Sequence, residues 1–592
     1  MNSFKIVKNS LSRVKHCWSD YFISMVMFQF IRMIIVLPSL AYLFSKVLKR
    51  TGVLGLTDQN MLIIVSKPIN LLLLLLILIL SVLFIFYELG YYFLLADKQI
   101  SGEEYSFKGI IKELYKKGRY FISIYILLFI VYFLFFLPLI SVGLSSTLTS
   151  SLKIPDFIID ELLLTTRGQV IYALALGVLT YIGFRLIYTI YFFVTERNLG
   201  ILDALKKSWN FSKRKTLKNI FTIFLVTVIP VLMLLIVVSI LLLPVIVSDM
   251  FTPKISPVIA GIFITVIQLI SMFVGALIQP LIVNVIIETT GKKENEIVGE
   301  ATKPLNLITI IKSNKYIKFV AVIVFILFVG VNTYATVNVI YQPQSLVIAH
   351  RGNTEKGVEN SLGSLNGAAD VDADAVEMDI QETKDGKFVV MHDFNLKRLA
   401  GVNKNPSDMT LEELTKLGIK QNGFKDRIPS LDEYIDTAKK RNIKLLIEVK
   451  PHGKESKEME ENLVKLLKEK RVDEYFMVQS LDLNVMDKIK EIAPEIQTGY
   501  IVPLNIGKLP QTKHDFLVLE DFSISKSKLN SAREENIKMF AWTINEEDLM
   551  KKYFRLDIDA IITNHPETAV KIRDDEDNVK TILDRVNYIL EK

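Results

Sequence analysis

Two histidines each stand at the end of a short apolar run, His350 closing Leu346–His350 and His392 closing Phe388–His392. A third run, Val376–Ile380, holds the carboxylates Glu377 and Asp379, and a fourth, Leu445–Lys450, holds Glu448 and Lys450. Residues two apart on a strand project from one face, so each pair points the same way. A carboxylate in an otherwise apolar strand is costly unless it is paired or binds a cation. Glu377, Asp379 and Glu448 therefore form an oxygen-rich ligand set for one hard divalent ion, Ca²⁺ or Mg²⁺. The histidines supply a general base and a general acid near neutral pH. Arg351 and Lys450 add positive charge that suits a phosphate. Together they read as metal-assisted attack on a phosphodiester.

Such a constellation needs a scaffold that brings several strand ends to one place. Beyond Tyr341, Val- and Ile-rich runs alternate with amphipathic stretches; further runs are Phe476–Ser480, Gly499–Val502, Phe516–Leu519, Met539–Asn545 and Ala560–Thr563. Helices are expected at Leu431–Arg441, Glu455–Arg471, Asp482–Ile492 and Glu546–Tyr553. Apolar strands separated by helices indicate a covered parallel sheet. About eight such units predict a (β/α)₈ TIM barrel over 342–592, with the active site at the carboxyl ends of its strands. No Gly-rich nucleotide loop is present, which disfavours a dinucleotide fold. His452 reads as a rim or loop residue, and His514 and His565 as structural.

The preceding 341 residues have a different character. They hold 32 Lys+Arg against 17 Asp+Glu, whereas the remainder of the 592-residue chain holds 38 against 46. Apolar runs at roughly 21–46, 68–97, 119–143, 169–195, 219–249, 258–287 and 317–341 each exceed the ~20 residues that cross a bilayer. They predict an α-helical transmembrane bundle of about seven spans, domain 1–341, and exclude a wholly soluble protein. Segments 1–20, 98–119, 196–218 and 288–318 carry 23 basic residues, whereas 46–60, 144–168 and 250–257 carry 6. That asymmetry places the amino terminus in the cytoplasm and the barrel outside; it also explains the net charge without nucleic acid. The single cysteine, Cys17, excludes an internal disulfide framework. Lys108–Arg119 and Ile201–Lys213 read as basic interfacial helices, and Glu88 and Arg185 as a candidate pair across two spans. YYFLLADK and YFFVTERN hint at an internal repeat.

The motifs also carry a family resemblance. His350-Arg351-Gly352, Glu359-Asn360-Ser361, Ala373 to Asp379, Thr383-Lys384-Asp385-Gly386, His392-Asp393, Ile428-Pro429-Ser430-Leu431, Ile447-Glu448-Val449-Lys450 and Trp542-Thr543-Ile544-Asn545 occur in the order seen in glycerophosphodiester phosphodiesterases. From about Leu346 to Pro566 the chain resembles that family. The multi-span half is similar to the membrane domain of one bacterial branch. Val358 stands where the family usually has proline, and the stretch after His392 keeps Arg398 but has Leu399-Ala400-Gly401 where a threonine-containing turn is usual; neither change removes a proposed chemical group.

The resemblance implies a barrel enzyme that hydrolyses glycerophosphodiesters to glycerol 3-phosphate and an alcohol with one divalent cation, Ca²⁺ being favoured at the outer membrane face. It implies that His350 and His392 are the acid–base pair, that Glu377, Asp379 and Glu448 bind the metal, and that Arg351, Lys450 and Trp542 contact substrate. Glu359, Asn360 and Asp393 become supporting residues around that set. Expected substrates are glycerophosphodiesters, lysophospholipids or polyglycerophosphate polymers, met at a plasma membrane rich in lipid partners. The alternatives are a lysophospholipase D acting on lipids in the bilayer and, from another class, a lipid-binding or transport bundle with the barrel as sensor.

Overall fold

The computed structural model describes residues 3–53, 55–56, 64–121, 123–140, 159, 162–163, 165–292, 314–338, 344–576 and 581–591. Among them, six helical stretches are long and apolar enough to cross a membrane: Trp18–Thr51, Pro68–Ser101, Thr166–Thr195, Thr216–Phe251, Ser256–Thr289 and Lys315–Asn338. The other expected span, 119–143, is represented by the 15-residue helix Ile126–Ile140, and its end lies outside the described residues. Helices suit these sequences because each satisfies its own backbone where lipid offers no hydrogen-bond partner. The bundle core is aromatic: Phe121 lies 4.6 Å from Phe86 and 4.4 Å from Phe129, ring centre to ring centre.

Three short amphipathic helices, Ser3–His16, Phe107–Tyr115 and Ile201–Ser212, tuck their apolar faces against one end of this bundle. Their basic companions tie that end together. Arg13 reaches Glu288 at 3.2 Å and Asn284 at 3.3 Å, and Lys292 reaches Asp97 at 2.6 Å. Lys117 Nζ donates to the carbonyls of Glu196, Arg197 and Leu199 at 2.8, 3.2 and 3.0 Å. Glu88 and Arg185 do not form the pair that their positions suggested. Arg185 gives its donors to Ser212 Oγ, Tyr181 OH and the Trp209 carbonyl, because the elbow helix Ile201–Ser212 packs closer to it than the second span does.

The strands in chain order are β1 (Leu346–His350), β2 (Ala375–Glu382), β3 (Phe388–Val390), β4 (Gly418–Gln421), β5 (Phe424–Arg427), β6 (Lys444–Val449), β7 (Met477–Ser480), β8 (Gln497–Val502), β9 (Phe516–Glu520), β10 (Lys538–Trp542) and β11 (Ala560–Thr563). Eight of them pair in parallel around a closed ring, β1-β2-β6-β7-β8-β9-β10-β11 and back to β1. The run ending in His392 is not one of the eight. β3 is a three-residue strand antiparallel to the end of β2, and it brings His392 to the rim from outside the ring. The hairpin β4–β5 was not anticipated, because its residues are mostly polar and exposed and carry no apolar period.

Alternation along the strands sorts the ring into two levels. Ile348, Ala375, Leu446, Met477, Ile501, Phe516, Val518, Phe540, Ala560 and Ile562 form an apolar plug. Continuing inward by twos toward the carboxyl ends gives His350, Glu377, Asp379, Gln381, Glu448, Gln479, Glu520, Trp542 and Asn564. Gly499 belongs to the plug level and must be glycine: a Cβ there would collide with the ring of Phe516.

Candidate active site

The first two barrel strands set the centre of the site. Parallel pairing places His350 beside Glu377, and the next pairing places Asp379 beside Glu448. One oxygen from each of Glu377, Asp379 and Glu448 falls within 4.8 Å of the others, and all three side chains are buried or nearly so. Burial, then Asp379 and Glu448, pushes the Glu377 carboxyl well above its usual range; burial and Asp379 push Glu448 up to about 7. Burial acts on Asp379 too, but His392, Lys450 and Arg351 together hold it below the ordinary value. Glu377 Oε1 is buried and has no hydrogen-bond partner among the described residues. A hard cation fits this set: it would satisfy that oxygen and relieve three crowded carboxylates at once.

Each histidine is held through its Nδ1. His350 Nδ1 lies 2.7 Å from Asn564 Oδ1, leaving Nε2 toward Glu377 Oε2 at 4.0 Å. Burial, followed by the Arg351 charge, lowers the His350 pKa to about 3, so the ring is neutral at physiological pH. His392 Nδ1 meets Asp393 Oδ1 at 3.0 Å. Burial and Arg351 lower His392 as well, with Asp379 and Asp393 opposing them. Gln381 Nε2 donates to the carbonyls of Met391, His392 and Asp393, which fixes the segment after β3 against β2.

Cations fill the remaining space. The Arg351 backbone N donates to Glu377 Oε2 at 3.0 Å, while its guanidinium approaches Asp379 Oδ2 at 3.5 Å and Glu359 Oε1 at 3.4 Å. Lys450 Nζ lies 3.6 Å from Asp379 Oδ1. Asn360 exchanges two hydrogen bonds with Asp379, through Nδ2 to Oδ2 at 2.8 Å and from the Asp379 backbone N to Oδ1 at 3.1 Å. Trp542 stands edge-on to His350 with ring centres 6.4 Å apart. The structure thus brings all eleven sequence-predicted residues to one mouth. His452 instead bonds the Glu382 carbonyl, and His514 is buried against Thr498 and Asp487, as loop and structural residues.

Several members of the site were not among the expected site residues, Arg398 being noted only as a retained part of the family pattern. Arg398 bridges Glu359 (2.5 and 2.9 Å) and Asp393 (2.7 and 2.8 Å), and Gln421, from β4, donates to Glu359 Oε2 at 2.5 Å. Burial would raise the Glu359 pKa, but Arg398 and Arg351 hold it down to about 2. Phe394, 44% exposed at the rim, lies under Lys450 Nζ at 5.7 Å. Asn564 and Glu520 were findable, since each continues the inward alternation at a strand end.

A closed parallel barrel with carboxylates, paired histidines and cations at its carboxyl-end mouth, joined to a helical membrane bundle, defines a membrane-borne hydrolase of charged esters. Residues 7–336 match the membrane domain of glycerophosphoryl diester phosphodiesterase, and residues 350–568 match the glycerophosphoryl diester phosphodiesterase family. The chain belongs to that family and is a multi-pass membrane phosphoric diester hydrolase, of a family dependent on a divalent metal. It is 30% identical over 240 residues to a glycerophosphodiester phosphodiesterase of Caldanaerobacter subterraneus subsp. tengcongensis, covering 39% of this chain and 98% of that one. A lysophospholipase D of Rattus norvegicus is 27% identical over 263 residues, covering 37% and 83%. Among solved structures, an Oleispira antarctica phosphodiesterase in complex with sn-glycerol 3-phosphate is 26% identical with a TM-score of 0.36, covering 39% and 96%.

Proposed function

We propose that the enzyme hydrolyses glycerophosphodiesters to glycerol 3-phosphate and an alcohol at the outer face of the plasma membrane of a bacterium. The observation that carries this reading is the orphaned Glu377 oxygen within a carboxylate cluster flanked by two histidines, each fixed by its Nδ1. Glu377, Asp379 and Glu448 would hold one divalent cation, the all-oxygen set suiting Ca²⁺ or Mg²⁺, with Ca²⁺ favoured by its abundance outside the cell. Bound there, the cation would draw charge from a phosphoryl oxygen.

The chain's own groups do the rest. Arg351 and Lys450 hold the phosphodiester against the cluster. His350, kept neutral by burial and with Nδ1 committed to Asn564, takes the proton of the attacking hydroxyl at Nε2. The attacker is either the substrate's 2-hydroxyl or water. His392, steadied by Asp393, returns a proton to the leaving oxygen. Trp542 closes the pocket beside His350. Glu359 and Arg398 act as positioning residues that fix Arg351 and Asp393. The amino terminus lies in the cytoplasm, a sidedness supported by the basic residues gathered at the end of the bundle remote from the barrel. The transport reading loses its motive: Arg185 is committed to the elbow helix and Glu88 is fully buried.

Release of glycerol 3-phosphate by the purified full-length protein, with chelator and with Ca²⁺ or Mg²⁺ restored, tests the reaction. The histidine roles separate with a nitrophenyl leaving group, which needs no proton. His392→Ala should then recover most of its activity while His350→Ala stays inactive. Equal loss in both variants on both substrates would reverse the assignment of His392 as the acid, and metal-independent turnover would remove the cation from the reading.

A further inference from the structure

The loop that leaves β8 at the barrel rim runs Pro503-Leu504-Asn505-Ile506-Gly507-Lys508-Leu509-Pro510. Its base is fastened to the barrel. Ser523 Oγ donates to the Pro503 carbonyl at 3.1 Å and accepts from Asn505 N at 2.8 Å. Lys528 Nζ, buried beneath, donates to the carbonyls of Asn505 and Ser523 at 2.7 and 2.6 Å. The loop's other side is fastened to the membrane half. Leu56, in the turn after the first span, donates its N–H to the Leu504 carbonyl at 2.8 Å in a bridge of antiparallel type. Gly55 beside it has no room for a side chain, since a Cβ would strike Val502 and come within 2.9 Å of Leu504 O. The tip continues down the span, where a side chain begun at Gly507 would lie 3.8 Å from Ala41 O.

Ala41 fixes the depth of that tip. The first span ends in Lys46, Lys49 and Arg50, and Lys46 Nζ stacks on Tyr42 at 4.6 Å, the kind of aromatic and basic pair that marks a membrane–water boundary. Five residues of helix from Lys46 to Ala41 amount to about 7.5 Å, a headgroup-to-acyl depth. The loop arrives there with Ile506 exposed and Lys508, also exposed, two residues on, an apolar tip with a cation for lipid phosphate. The barrel is also held at a second place. The carboxyl-terminal helix Ile582–Glu591 packs on Val245, Ala260 and Ile264, Arg585 donates to the Thr336 carbonyl at 3.1 Å, and Asp249 accepts from Ile582 N at 3.2 Å. A flexible tether would only raise local concentration. Two fixed joints set an orientation, and the rim beside the active site is one of them.

We propose that the β8 loop is seated in the outer leaflet and that the active site, on the reading given above, takes phosphodiesters whose glycerol keeps one acyl chain in the bilayer, namely lysophospholipids. A polymer or a free headgroup diester gains nothing from a rim set at acyl depth. A single-chain lipid can rise toward the mouth with only part of its tail leaving the leaflet. In the net reaction one water is consumed, the phosphorus–oxygen bond to the headgroup alcohol breaks, and that alcohol leaves with a proton. The monoacyl glycerol phosphate stays in the membrane.

The test uses the full-length protein in vesicles of phosphatidylglycerol and phosphatidylethanolamine, with choline release read from glycerophosphocholine in solution and from lysophosphatidylcholine in the bilayer. Ile506→Asp places a charge at the seat, and Gly55→Val wedges the joint from the membrane side. Wild type should cleave both substrates. Each variant should lose about tenfold or more on the lysolipid, the factor expected when one apolar side chain no longer buries in the leaflet. Turnover of glycerophosphocholine should stay within about twofold, which also reports that the barrel remains folded. Cleavage of the soluble diester but not the lysolipid by wild type would overturn the seat and leave the phosphodiesterase reading standing. Parallel loss on both substrates, or loss on neither, would overturn it too. Failure of wild type on both would sink the phosphodiesterase reading itself, and this inference with it.

Discussion

Arg13 in the bundle and Glu377 in the barrel mouth are both buried, at 7% and 1% exposure, yet their surroundings are opposite. Arg13 sits against Glu288 and Asn284, and the charges around it belong to residues that join one helix end to the next. Glu377 has two like charges, Asp379 and Glu448, crowded against it, and one of its oxygens has no hydrogen-bond partner among the described residues. The bundle uses a buried charge such as Arg13 to fix geometry, with its complement close by. The barrel mouth concentrates charge that only a cation and an anionic substrate would balance. Perturbed groups collected in a concave mouth signal function, and the contrast says which half performs the chemistry.

The sharpest way to break that contrast is to remove one group from each side. His350→Ala or Glu377→Ala should lower kcat/KM on a soluble glycerophosphodiester by about 10²–10⁴. Arg13→Ala, in the same detergent and at the same cation concentration, should leave it within about twofold while lowering the thermal stability of the bundle. A catalytic loss from Arg13→Ala comparable to that from Glu377→Ala would mean the two halves are not separable in this way.

Next in size is the cost of the crowded carboxylates. Burial and Asp379 raise the folded pKa of Glu448 from 4.5 to about 7. A raised pKa contributes stability that is fully present below the ordinary carboxylate value and is lost as pH rises through the folded one. Chelated protein should therefore melt progressively lower between about pH 4.5 and 7, with on the order of 3 kcal/mol at stake. Saturating Ca²⁺ should flatten the slope, because the ion replaces the proton. Melting curves of the chelated enzyme that are flat across this window would show that the carboxylates do not compete as described.

How much of this was legible in the sequence follows from the same division. Glu377, Asp379 and Glu448 stood out because strand alternation is local, and a charge in a buried apolar run violates it visibly. The spans were equally plain, because bilayer thickness sets their length. The partners of Arg398, the role of Gln421 and the hairpin β4–β5 were not, since they lie on polar, irregular segments whose contacts are fixed only by the closed ring. Placing β3 outside the ring required knowing that β2 continues past the barrel to Glu382. The joint between Leu56 and Leu504 spans the two halves through backbone atoms, and no side-chain pattern encodes a backbone bridge. Glu88 and Arg185 misled for a related reason: membrane depth was readable, but the approach of an elbow helix was not.

Arg398 sharpens the comparison further, since its contacts with Glu359 and Asp393 are a bundle-like arrangement of matched charges within the mouth. Breaking its contacts through Glu359→Gln or Arg398→Ala should cost about 3–5 kcal/mol, as removal of one partner from a buried pair does. The loss should be read by chemical denaturation of chelated protein, so that the metal site does not contribute. In Arg398→Lys, which keeps the charge but not the fork, kcat should fall more than KM rises, because Asp393 and hence His392 lose their orientation. Unchanged kcat in a folded Arg398→Lys enzyme would assign the pair to stability alone.

The smallest expected effect compares two contacts of the same kind. Lys117 lies 4.6 Å over Phe193 in the bundle, and Lys450 lies 5.7 Å over Phe394 at the mouth. Lys117 also caps three carbonyls, so Phe193→Leu should disturb packing around Phe86 and Phe129 and show up as stability. Phe394 is open to solvent and supports no core, so Phe394→Ala should leave the melting temperature unchanged. What it removes is an aromatic face that holds Lys450 near the phosphate, worth about 0.5–1 kcal/mol at an exposed site. That corresponds to a rise in KM of about two- to fivefold with kcat unaltered, since the cation contacts ground state and transition state alike. A fall in kcat with constant KM would instead place Phe394 against the leaving group, and the rim would then help discriminate headgroups.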